Sequence, residues 1–224
     1  MPNVNLELVD ADGAIRDAAE AAGLDRSDFL KKGMLAGGGL FAGSAIFAQY
    51  LSPAEAAISK KTRSKANDVK ILNYALTLEY LESAFYRKAV ANKVFGEDAP
   101  LKLFAETVAK HEAAHVVFLK SVLKSKAIRS PRFDFGDAVA DPKKFATTAQ
   151  LLEDTGVSAY VGQIANIFQP SVARSAGKIA TVEARHAAWI RFINGALSAP
   201  DTFDKARSED TTLRNVRKTG FIKT

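Results

Sequence analysis

Four glutamates stand in the middle of otherwise apolar helical stripes, and this constrains the fold more than any other feature of the chain. Apolar residues recur at three- and four-residue spacing over 67–91 (Leu72, Ala75, Leu76, Tyr86, Val90) and 100–124 (Ala105, Val108, Ala109, Val116, Leu119, Val122). They do so again over 142–168 (Ala146, Ala149, Val157, Tyr160, Ile164) and 170–197 (Ala176, Ile179, Ala180, Ala187, Ile190, Ile193). That is the periodicity of amphipathic helices, and no strand is expected. Glu79, Glu112, Glu153 and Glu183 fall on those same faces, together with His115 and His186. An unpaired buried carboxylate costs several kcal/mol or more, so four converging ones need positive charge beside them. Inward-facing basic side chains are few, and divalent cations meet the need.

The acidic positions repeat. Glu79 is followed seven residues later by Tyr86, and Glu153 seven residues later by Tyr160; Glu112-x-x-His115 is matched by Glu183-x-x-His186. The halves are offset by 74 residues between Glu79 and Glu153 and by 71 between Glu112 and Glu183. A carboxylate and an imidazole three residues apart share a helix face and can reach one cation or two adjacent ones. Residues seven apart share a face but lie about 10.5 Å apart along the axis. Tyr86 and Tyr160 therefore cannot bond the glutamate of their own helix, and are expected to support a carboxylate on a neighbouring one. Glu82, three residues after Glu79, is expected at the rim, flanking the site.

Short links join helices one to two and three to four, whereas roughly 17 residues separate helices two and three. Short links make antiparallel neighbours, and a long one can run the length of a bundle. The expected architecture is an all-α four-helix bundle with one long crossover between helices 2 and 3. Residues 1–57 form an N-terminal region, 58–66 a basic linker, 67–198 the bundle and 199–224 a polar tail. The tail is expected as an extended strap held by Phe203, Val216 and Phe221, with no fifth helix, which argues against storage in a hollow cage.

Residue wording adds a family resemblance. Leu78-Glu79-Tyr80-Leu81-Glu82, His111-Glu112-Ala113-Ala114-His115 and Glu183-Ala184-Arg185-His186, with the two Glu/Tyr pairs, resemble the paired helix motifs of the ferritin-like superfamily. Within it they are most similar to the secreted bacterial and plant desiccation-related ferritin-like group. The resemblance implies a dinuclear centre of two iron or manganese ions, with Glu79, Glu112, His115, Glu153, Glu183 and His186 as ligands. It also implies dioxygen or peroxide as co-substrate and a role in stress protection.

Composition prunes the alternatives. Cysteine is absent, which removes thiol nucleophiles, iron–sulfur clusters and cysteine-bound zinc. A net charge of +6 is partly a linker property, and without a basic face interleaved with aromatics no nucleic-acid partner is expected. Residues 33–51 are uncharged, follow Lys31-Lys32 and precede an Ala-x-Ala site ending at Ala56. They read as an export signal, or as an uncleaved helix anchoring the protein to a membrane. The preceding Arg26-Ser27 resembles a twin-arginine box with its second arginine replaced. A homo-oligomer is compatible with the sequence.

Three functions compete. The first is a dimetal oxidoreductase, ferroxidase-like or catalase-like. The second is a non-enzymatic stress-associated bundle binding metal weakly or not at all. The third is a zinc metalloprotease, because His111-Glu112-Ala113-Ala114-His115 fits the His-Glu-x-x-His pattern. The third needs His111 as a ligand; the first makes it dispensable.

Overall fold

The computed structural model describes residue 58 and residues 62–223. Four long helices form the bundle: α1 (Lys65–Ala91), α2 (Ala99–Leu123), α3 (Pro142–Ile164) and α4 (Pro170–Ile193). The starts of α1, α2 and α3 are written locally. Ser64 accepts a hydrogen bond from the Asn67 amide at 3.1 Å, Asp98 from Leu101 at 2.9 Å and Asp141 from Lys144 at 2.7 Å. Proline occupies the first turn of α2, α3 and α4, where its missing N–H is no loss. The preceding residue Gln169 gives α4 no side-chain cap; instead the fully buried carboxylate of Asp68 on α1 accepts from the amides of Phe168 (2.7 Å) and Gln169 (3.0 Å). This turn ends α3 at Ile164, four residues short of the expected end. Gly195, at φ 72°, similarly closes α4 at Ile193 rather than at residue 197.

α1 pairs with α2 and α3 with α4, and the two hairpins pack against each other. Cross-bundle contacts fix the directions. Glu79 meets Tyr160 while Tyr86 meets Glu153, so α1 and α3 are antiparallel. His115 meets Glu183 while His186 meets Glu112, so α2 and α4 are antiparallel as well. The α2–α3 link must then traverse the bundle. It leaves α2 near the start of α1, where Asn73 hydrogen-bonds Lys126 and Ile128, and reaches the other end where Asn92 donates to Val139. Nineteen residues of helix separate those two anchors, about 28 Å.

The tail departs from expectation. It is not an extended strap throughout: α5 (Glu209–Thr219) follows an irregular stretch, with Ser208 capping it and Gly220 ending it at φ 68°. Glu209, Thr212, Leu213 and Val216 are buried at helical spacing, whereas Phe203 is 59% exposed. Leu213 and Val216 are the only apolar residues of this helix, so the segment reads as a polar tail although its buried face is regular. The existence of α5 removes the stated ground for doubting a cage. A short strand pair was also not expected: β1 (Arg132–Phe133) in the crossover pairs antiparallel with β2 (Ile222–Lys223), Phe133 opposite Ile222. The strap before α5 lies directly on α3, Arg207 donating to the Ser158 carbonyl at 3.0 Å. Only glycine fits beneath it, because a Cβ on Gly162 would stand 1.9 Å from the Arg207 carbonyl oxygen.

The expectation of a membrane anchor is corrected. Among the described residues no helix is long and apolar enough to cross a membrane, each long helix being interrupted by charges. The segment 33–51 on which the export and anchor readings rested lies outside the described residues.

Candidate metal centre

Each bundle helix brings one glutamate to the same interior region, and Glu79, Glu112, Glu153 and Glu183 are all fully buried. His186 is buried with them; the His115 side chain is 12% exposed against 3% for His186. The donors form two groups, Glu79/Glu112/His115/Glu183 and Glu112/Glu153/Glu183/His186, each with its donor atoms within 4.8 Å of one another.

The atoms divide symmetrically. His115 Nδ1 faces Glu79 Oε2 at 3.2 Å, Glu112 Oε2 at 3.3 Å and Glu183 Oε1 at 3.1 Å. His186 Nδ1 faces Glu153 Oε2 at 3.2 Å, Glu112 Oε1 at 3.3 Å and Glu183 Oε2 at 3.8 Å. Glu112 and Glu183 thus give one oxygen to each group, while Glu79 and Glu153 serve one group apiece. The remaining oxygens of those two accept from tyrosines across the bundle: Tyr160 donates to Glu79 Oε1 and Tyr86 to Glu153 Oε1. Burial, with the adjacent carboxylates adding, holds both phenols well above their ordinary pKa, so they remain donors.

The centre is electrostatically strained. Burial pushes the Glu112 and Glu82 carboxyls well above the usual carboxylate range, and Glu153 up to about 8 against the opposing contact with His186. Burial acts to lower His115 and His186, but the glutamates around each outweigh it, raising His186 to about 12 and His115 further. Burial acts on Glu183 as well, yet the two imidazoles beside it bring its carboxyl down to about 2. Protons on the histidines therefore stand where cations would neutralise the carboxylates. Glu112 Oε1, Glu153 Oε2, both Glu183 oxygens and His186 Nδ1 are buried without an aligned hydrogen bond among the described residues. Hard oxygen and imidazole donors left unsatisfied at one interior point could hold a divalent cation in each donor group.

All six residues expected as ligands are brought together, and Tyr86 and Tyr160 reach the carboxylates of the opposite half. Glu82 differs: it is 3% exposed and lies inside the bundle, not at its rim. His111 joins neither donor group. Its ring stacks on His186 with centroids 5.1 Å apart, and its Nδ1 lies 2.8 Å from His186 Nε2. Burial and the neighbouring histidines lower the His111 pKa, and its contact engages His186 Nε2, leaving His186 Nδ1 as the nitrogen that faces the carboxylates. Nothing in the spacing of the sequence could have revealed this contact, made between residues 75 positions apart on different helices.

No curated protein matches the chain in sequence. The ferritin-like domain family matches residues 67–196, the stretch that carries the four bundle helices except the first two residues of α1, and every residue of the two donor groups. With more than half of its 224 residues matched and the helix pairing, crossover and clustered Glu/His donors in place, the chain belongs to the ferritin-like domain family.

Proposed function

We propose that this protein is a dimetal carboxylate oxidoreductase that holds two iron or manganese ions and oxidises Fe(II) or consumes peroxide in stress protection. The observation that carries the reading is the sharing of Glu112 and Glu183: each offers one oxygen to each donor group, as a bridging carboxylate does. Two such ions, when bound, supply reversible one-electron chemistry toward dioxygen or peroxide. The chain's own part is to bind and to orient. Glu79 with His115, and Glu153 with His186, would complete the two positions. Tyr160 and Tyr86 hold the Glu79 and Glu153 carboxylates in a fixed rotation, and His111 fixes the His186 ring. Phe85, Phe104 and Phe145 pack around the ring of Tyr86, which holds Glu153, while the partly exposed His115 marks the side nearer solvent.

The test is anaerobic titration with Fe(II) followed by exposure to air. Two Fe(II) bound per chain, then near-ultraviolet absorbance as the iron is oxidised, is the expected result. Absence of binding would leave the non-enzymatic bundle, a reading favoured by one observation, the approach of His115 to Glu183 at 3.1 Å and of His186 to Glu112 at 3.3 Å, which offsets part of the carboxylate charge with protons alone. The zinc protease reading loses its support, because His111 bonds His186 rather than converging with His115.

A further inference from the structure

The two halves of the centre match residue for residue until one turn beyond the first glutamate. The offset of 74 that carries Glu79 onto Glu153 carries Glu82 onto Gly156, so a carboxylate on α1 is answered by no side chain on α3. The space and the carboxylate fit each other. A Cβ built on Gly156 would lie 3.3 Å from Glu82 Oε1 and 3.4 Å from Glu183 Oε2, so both carboxylates press into the gap that the glycine leaves. Glu82 is 3% exposed and makes no hydrogen bond or ion pair among the described residues. A carboxylate placed so deeply without a partner is costly unless a cation meets it. The carboxylate oxygen that shares the Gly156 gap with Glu82 is Glu183 Oε2, the one that faces His186.

We propose that Glu82 is a seventh metal-binding side chain, serving the ion held by Glu153, Glu183 and His186, and that Gly156 is the opening that admits it. The inference rests on the dimetal reading above. It makes the two ions inequivalent. The one beside His186, enclosed and supplied with an additional hard oxygen, is the tighter. The one beside His115 has no such addition, and its histidine is the more exposed, which leaves that ion the position for an incoming co-substrate or substrate Fe(II).

The test is titration of the metal-free chain with Co(II), followed by visible absorbance, for wild type, Glu82→Gln and Gly156→Ala. Wild type is expected to bind two Co(II) with resolved affinities. Glu82→Gln keeps shape but loses the charge, and is expected to weaken the tighter ion by roughly tenfold or more while leaving the weaker one unchanged. Gly156→Ala removes no donor, yet its Cβ crowds Glu82, so it is expected to weaken the same ion. A circular dichroism melt of each metal-free variant establishes that it is folded. If both affinities in Glu82→Gln equal those of wild type, the Glu82 assignment falls while the dimetal reading stands. If wild type binds no Co(II), both fall.

Discussion

At the scale of single residues, the centre is a balance between carboxylates that burial makes costly and the protons or cations that offset them. Tyr86 and Tyr160 each satisfy one glutamate oxygen that would otherwise be orphaned. Tyr86→Phe or Tyr160→Phe is therefore expected to destabilise the metal-free protein by about 1–3 kcal/mol, read from the urea midpoint, while two ions per chain still bind. The pH dependence has a definite sign. Glu153 is raised from 4.5 to about 8 and His186 from 6.5 to about 12, so the stability each contributes is complete below its unfolded value and is lost as pH rises through the folded one. Glu183, lowered from 4.5 to about 2, contributes stability above 4.5 that is lost as pH falls through about 2. The urea midpoint of the metal-free protein is expected to fall as pH rises from about 5 to about 9. Stabilisation by added Mn(II) should grow over the same range, because the ions displace the protons on the histidines. Parallel titrations with and without Mn(II) measure both slopes, and a metal-free midpoint that climbed with pH would contradict the arrangement.

At the scale of elements, the helices are positioned by contacts far from the centre. Asp68 caps the turn between α3 and α4 from within α1, and Asp68→Ala would remove the acceptor of two partly buried amides, those of Phe168 and Gln169. A loss of roughly 3 kcal/mol is expected, since hydrogen bonds to charged groups are the stronger kind, with hydrogen exchange rising first at residues 165–172. The strap before α5 depends on Gly162. Its replacement by alanine cannot be absorbed by a side-chain movement, because the obstruction is the Arg207 backbone. Gly162→Ala is expected to cost about 1–3 kcal/mol and to release the α5 amides to exchange, while metal stoichiometry stays at the wild-type value. Stoichiometry falling along with α5 protection would show that the tail supports the centre directly.

At the scale of the whole molecule, the repeat of a two-helix unit and the crossover that inverts one copy against the other create a two-fold centre from a single chain. A two-fold arrangement makes shared and unshared residues behave differently. Glu112→Ala and Glu183→Ala are each expected to lower the occupancy of both ion positions, because each carboxylate faces both histidines. His111→Ala, which removes only the support behind His186, is expected to leave two ions per chain with the affinity of one reduced by about tenfold. Metal content after reconstitution with Fe(II) or Mn(II) separates the cases. Loss of all metal in His111→Ala with full retention in Glu183→Ala would return the zinc reading to consideration.

Periodicity alone set the four bundle helices, the acidic faces and the pairing of short links with antiparallel neighbours, because helix spacing fixes which side chains share a face before any tertiary contact forms. The repeat likewise announced that Tyr86 and Tyr160 must look beyond their own helices. What periodicity cannot encode is the distance between faces. The division of Glu112 and Glu183 between two donor groups, the burial of Glu82 against Gly156 and the stacking of His111 on His186 all join residues on separate helices, and only packing brings them within reach. The tail shows the same limit from the other side: α5 is polar throughout except for Leu213 and Val216, so the segment carries too little overall hydrophobicity to be read from sequence as a packed helix. Local propensity chose the helices; the antiparallel registers of α1 with α3 and α2 with α4, fixed by the crossover, decided which atoms meet.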